Sequence, residues 1–96
     1  MDFKPSLEEI VLFELPSDRS AYHLLLHLTS RRLAWLQNDD EATIVGAVLT
    51  PDVTDFAELL RDVQGWLYGA RLHAIRFEVD GRTYVLEAKQ PALAPS

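Results

Sequence analysis

Ala21-Tyr22-His23-Leu24-Leu25-Leu26-His27-Leu28-Thr29-Ser30 is the stretch on which the fold turns. As a strand it would place Tyr22, Leu24, Leu26 and Leu28 on one face. As a helix capped by Ser17 or Asp18 it places Ser20, His23, His27 and Ser30 on one side, with Ala21, Tyr22, Leu25 and Leu28 opposite. Leucine and alanine dominate the stretch and β-branched residues are scarce, so a helix is expected.

Upstream, Glu9 to Leu15 reads as a strand ended by Pro16. A capping box at Ser6 and Glu9 is the competing helical signal there. Downstream, Leu33 to Gln37 and the β-branched, apolar run Thr43 to Leu49 read as a hairpin across Asn38-Asp39-Asp40-Glu41. Gly46 within the second strand points to a bulge or a close backbone approach. A second helix is expected over 51–68. Thr50 would cap it, Pro51 suits its first position, and Asp52 and Asp55 suit its first turn. Its apolar stripe would be Val53, Phe56, Leu60, Val63 and Leu67, widened by Leu59 and Trp66, with Gly69 as the stop. Asp80-Gly81 then predicts a two-residue type I′ hairpin turn. That turn sets Val79 opposite Arg82, Phe77 opposite Tyr84, Ile75 opposite Leu86 and His73 opposite Ala88. One face becomes apolar, while Glu78, Arg76 and Glu87 lie with Thr83 and Val85 on the other.

In order, these elements give an α+β domain with the ferredoxin-like plan βαββαβ, a two-layer sandwich carrying an extra C-terminal hairpin strand. Both helices would lie on one sheet face, leaving the other to water or a partner. Were 21–30 a strand, the fold would instead be an antiparallel meander with one long helix packed across it. Residues 1–89 form the single domain, and 90–96, rich in Pro and Ala, are expected as a disordered tail.

The 96-residue length permits one domain, and the 48% apolar fraction is ample for its core. There is no cysteine, which excludes disulfides, thiolate chemistry and cysteine zinc sites. The start, Met1-Asp2-Phe3-Lys4-Pro5, lacks the pattern of a signal peptide. The densest apolar stretch, 22–28, is too short to span a membrane. A cytoplasmic location is expected, with no membrane partner. The net charge of −6, with lysine only at Lys4 and Lys89, argues against nucleic acid, whose binding relies on clustered basic residues.

His23 and His27 have the i, i+4 spacing that lets two imidazoles share one metal on a helix. They lack the glutamate of the HExxH pattern, and two solvent-facing histidines on a polar stripe are expected. Asp39, Asp40 and Glu41 do not have calcium-loop spacing and read as a solvated turn. Asp52, Asp55, Glu58 and Asp62 would line the wet face of the second helix. No serine is framed by a G-x-S-x-G elbow, and no glycine-rich loop could cradle a phosphate. No cofactor, metal or catalytic residue is therefore expected.

Phe13-Glu14-Leu15-Pro16-Ser17-Asp18-Arg19, followed by the leucine-rich helix, is similar to the first strand and helix of small-molecule-sensing ACT domains. Ser20-Ala21 stand where that family's ligand-binding turn has a glycine. Cofactor-free dimeric α+β barrel enzymes share the element order but no residue signature. The chain is assigned to neither. These likenesses imply the alternative function, a ligand-sensing or cofactor-free catalytic dimer with a pocket between sheet and helices.

The leading expectation is a non-catalytic interaction or regulatory module, working as a homodimer or with a protein partner. The chain holds many large apolar groups for its size, and an exposed aromatic patch marks an interface. Trp66, Leu59, Phe77, Tyr84 and Trp35 are the candidate interface residues. Dimerisation is expected through the open sheet face or along the edge of the Asp80-Gly81 hairpin.

Overall fold

The computed structural model describes residues 9–38 and 42–90. Its elements are β1 (Ile10–Leu15), α1 (Asp18–Thr29), β2 (Ala34–Asn38), β3 (Thr43–Val48), α2 (Asp55–Gly69), β4 (Ala74–Val79) and β5 (Arg82–Glu87). The strands form one antiparallel sheet in the order β2-β3-β1-β4-β5. The chain is thus α+β, a sheet with two helices packed on one face. The alternative single-helix meander does not form, because residues 21–30 lie largely within α1. Ser6 of the competing capping box and the tail from 91 onward fall outside the described residues.

α1 starts where short polar residues can satisfy its free amides. Ser17 is extended and its Oγ accepts the Ser20 N–H at 3.1 Å, while Asp18 occupies the first turn. Its sheet-facing side is Ala21, Leu24 and Leu28, all buried, with Leu25 partly covered. Tyr22 lies about 100° around the helix from Ala21. It is therefore exposed together with Leu26, not on the buried side as expected.

α2 begins at Asp55, four residues later than Pro51. The Asp52 carboxylate accepts both the N–H and the hydroxyl of Thr54 at 2.9 Å, a local turn that competes with helix. Val53 is left 92% exposed and outside the stripe. The buried row is Leu59, Val63 and Leu67, flanked by partly covered Phe56, Leu60 and Trp66.

The end of α2 is a Schellman motif, with Leu72 N–H bonded to the Leu67 carbonyl and Arg71 N–H to that of Tyr68. The left-handed residue is Arg71 at φ 63°, not Gly69. Leu72 tucks back against the core.

The β4–β5 hairpin has the expected register. Its turn residues have φ of 56° at Asp80 and 76° at Gly81, as type I′ requires. Ala88 N–H donates to the His73 carbonyl at 2.8 Å and extends the ladder. Phe77 stacks on Tyr84 at 5.4 Å between ring centres and also meets Phe13 and Phe56.

Every second residue of the central strands points at the helices: Val11, Phe13 and Leu15 on β1, Val45 and Ala47 on β3, Ile75, Phe77 and Val79 on β4. With the buried residues of both helices they form one core.

Two substitutions test this arrangement by denaturant unfolding. Leu59→Ala should cost about 2–5 kcal/mol, the usual penalty for truncating a fully buried leucine. Arg71→Gly should stabilise the fold by about 1 kcal/mol, because glycine takes the left-handed conformation without a Cβ penalty.

Candidate functional site

Among the described residues no helix lies over the sheet's second face. β1 and β3 nevertheless carry apolar residues on both faces, as the unbroken runs Ile-Val-Leu-Phe and Ile-Val-Gly-Ala-Val show. A strand with one wet face alternates instead. β4 does so, with Ala74, Arg76 and Glu78 pointing to the open side.

The register arranges the open face in three rows across β1, β3 and the β2 side. Ile10 lies beside Val48, and Val48 N–H bonds the Leu33 carbonyl. Leu12 lies beside Gly46, which faces Trp35. Glu14 lies beside Ile44, which faces Gln37. Ile10, Leu33, Leu12, Val48, Ile44 and Trp35 therefore form one apolar surface. Ile10 and Leu33 are 45% and 70% exposed, and the other four are half-buried.

Gly46 is the reason that surface is flat. A Cβ there would fall within the Trp35 ring, so the indole lies directly on the glycine backbone. This is the close approach expected at Gly46, with no bulge, since the register runs through it unbroken. Trp35 Nε1–H donates to Gln37 Oε1 at 3.2 Å, which orients the ring along the strand. On the β4–β5 half the same face becomes charged. Arg76 lies 3.6 Å from Glu14, an exposed pair of small energetic weight, with Glu78 and Thr83 beside it.

Of the residues singled out in the sequence, only Trp35 belongs to this surface. Trp66 packs on the edge of the core and borders a shallow hollow of about 250 Å³ with Arg19, Ser20 and His23. Tyr84 is 43% exposed on the helix side of β5. Leu59 and Phe77 are buried, at 0% and 5%, and offer no surface to a partner. Both are correctly read as large apolar groups, but each falls on the inward side of its element.

The two histidines are not equivalent. His27 Nε2 lies 2.9 Å from Asp62 Oδ1, linking α1 to α2, whereas His23 borders the hollow beside Trp66. Among the described residues no three His, Cys, Asp or Glu side chains converge as a metal site would require. A larger hollow of about 770 Å³ lies at the end of the sheet, between Leu15, Asp18, Asn38, Thr43 and Arg76. It contains no histidine. Its Asp18 accepts the Thr43 hydroxyl, a bond that ties α1 to β3. No helix among the described residues is long and apolar enough to cross a membrane.

Asp55 and Asp62 leave the wet stripe expected on α2. Asp62 meets His27. Asp55 is buried in a two-point pair with Arg32, at 2.8 and 3.0 Å, and also accepts the Thr50 N–H at 2.9 Å. Arg32 reaches the Val48 carbonyl as well, at 3.5 Å. The pair clamps the α1–β2 turn to the β3–α2 turn. The Arg32 guanidinium, helped by the Thr50 amide, holds the Asp55 carboxyl below its ordinary range against the opposing effect of burial.

Comparison with protein-family models, curated proteins and solved structures gave no match.

The clamp generates a pH prediction. Because the folded carboxyl ionises more readily than the unfolded one, its contribution is complete above the ordinary carboxylate range. It is lost as pH falls through the lowered folded value. Asp55→Ala should cost about 3 kcal/mol at neutral pH by stranding Arg32, and much less in strong acid. Urea unfolding of both proteins across the acid range measures this; a gap that does not narrow in acid would contradict it.

Proposed function

We propose that this chain is a non-catalytic interaction module, built on a ferredoxin-like plan with one added strand, that engages a protein partner through the open face of its sheet. The adjacency β2-β3-β1-β4, with β5 outside β4, supports that plan. One observation carries the functional reading: the apolar surface of Ile10, Leu12, Leu33, Trp35, Ile44 and Val48 lies where a one-sided sheet would be polar. An apolar group of this kind, rimmed on one side by Glu14, Arg76 and Glu78, has the composition of a protein interface: apolar centre, aromatic anchor and charged border. The occupant is a protein surface with a complementary apolar patch. A membrane of anionic lipid is disfavoured by a chain carrying net charge −6.

The ligand-sensing or catalytic alternative would be favoured by a deep pocket holding a histidine. The hollow beside His23 is about 250 Å³ and shallow, and the larger one is lined without a histidine, its hydroxyls being those of Ser17 and Thr43. Ser17 Oγ is engaged in capping α1, and the Thr43 hydroxyl donates to Asp18.

The test places a photo-crosslinking amino acid at Leu12 and, as control, at Glu58 on the exposed side of α2, in the native cell. A discrete adduct at position 12, absent at 58 and abolished by Ile44→Lys in a protein that keeps its melting temperature, is the expected result. Equal labelling at both positions, or an adduct insensitive to Ile44→Lys, would remove the open face as the binding surface.

A further inference from the structure

The sheet ends in two edges of different character. Along β5, the outward backbone positions are Thr83, Val85 and Glu87, because His73 and Ala88 form a hydrogen-bonded pair and such pairs alternate. That edge is already engaged. The Gln64 side-chain amide donates to the Glu87 carbonyl at 3.0 Å, and Lys89 N–H returns to the Gln64 carbonyl at 3.2 Å. Arg82 and Glu87 add charge there, a common protection of edge strands. Pairing along this hairpin, one of the two assemblies expected from the sequence, is therefore impeded at its Glu87 end.

Among the described residues β2 has none of these devices. Its residues Ala34-Trp35-Leu36-Gln37-Asn38 are all uncharged. Val48 N–H bonds the Leu33 carbonyl, so the inward pairs are at Leu33, Trp35 and Gln37, and the backbone groups of Ala34, Leu36 and Asn38 point outward. Among the described residues no hydrogen bond meets those outward groups. The side chains beside this edge are apolar too. Leu36 is 39% exposed on the helix side of β2, and Tyr22 and Leu26 are 54% and 53% exposed on α1, which packs over β2 and β3. Tyr22 and Leu26 lie on the flank of α1 turned away from α2, since His27 on the opposite flank is the residue that reaches Asp62.

We propose that β2 pairs antiparallel with β2 of a second copy about a twofold axis at Leu36, joining two sheets into one of ten strands. Of the registers that pair only outward groups, this one alone engages all three residues: Leu36 faces Leu36 of the copy, and Ala34 faces its Asn38. Six backbone hydrogen bonds can form, two for each of three residue pairs, as antiparallel geometry allows. The Leu36, Tyr22 and Leu26 side chains of both copies then meet on the helix side. Charge signs agree with the same orientation. In sequence, β2 is preceded by Arg31, since Arg32 is already paired with Asp55, and followed by Asp39, Asp40 and Glu41, an order in which antiparallel pairing sets opposite charges toward each other.

This dimer extends the reading of the open face, and in that part rests on it. Trp35 of each copy comes opposite Gln37 of the other, so the two indoles flank the axis on the open side and two apolar surfaces become one. The second copy occupies the edge, leaving the open face to the partner.

Because the chain lacks cysteine, single cysteines report the geometry directly. Facing Cα atoms of a hydrogen-bonded antiparallel pair are about 5.5 Å apart, within disulfide range. Leu36→Cys should give a covalent dimer under mild oxidation, and Leu12→Cys and Val85→Cys should not. Leu36→Lys should weaken the dimer about tenfold or more by light scattering, since like charges facing across a strand pair repel. Its circular dichroism and melting of the monomer should match the parent's. A parent that is monomeric at high concentration, or one that crosslinks through position 12 or 85 and not 36, would overturn the proposal. Either result leaves the photo-crosslinking outcome for the open face independently readable.

Discussion

The architecture depends on β1, held in the middle of the sheet between β3 and β4. Val11 faces Ala47 on one side and Val79 on the other, and Phe13 faces Val45 and Phe77. All of these pairings are long-range in sequence, so none forms until the chain has closed a loop of some thirty or sixty residues. α1 packs over β1, β2 and β3, and α2 over β5. Without β1 the sheet would fall into two hairpins, β2–β3 and β4–β5, each marginal alone. The period of two along the strands then assigns every remaining side chain to the helices or to the open face.

That assignment explains which features were legible in the sequence. The Asp80-Gly81 turn was, because it needs only two residues with positive φ, and its register followed residue by residue. The capping of α1 by Ser17 was legible for the same local reason. α2 was located but misplaced at its start, since Asp52 closes a turn on Thr54 where Pro51 invites a helix. Its buried row then shifted from Val53 and Phe56 to Leu59, so a residue read as the margin of the stripe and an interface candidate became its centre. The Arg32–Asp55 clamp joins residues 23 apart and carries no local signature, so nothing short of the folded contact could reveal it.

The open face lies between these cases. Trp35 was singled out for its size alone. The surface around it was encoded more directly, in the contrast between β4, which alternates, and β1 and β3, which do not. Reading aromatic residues as interface candidates favoured Phe77, yet aromatics are what a small core uses to fill its volume. A failure of alternation on a strand with one uncovered face is the sharper signal, because it departs from the pattern of a one-sided sheet whatever the size of its residues.

The distribution of charge bears on how such a surface can be used. A chain of net charge −6 repels its own copies at distance, so any assembly must keep that charge off the contact. The fold does this by segregation. β2 and the apolar half of the open face carry no ionised group, whereas Glu78 and Glu87 lie on the far strands and Asp52 and Glu58 on the helix side. Among the described residues the ion pair nearest β2, Arg32 with Asp55, is neutral as a unit and turned inward. Segregation of this kind lowers the desolvation cost of covering β2 and the Trp35 surface, since no charge has to leave water there. It leaves the acidic residues to act at long range, where they slow approach but do not weaken the contact once made.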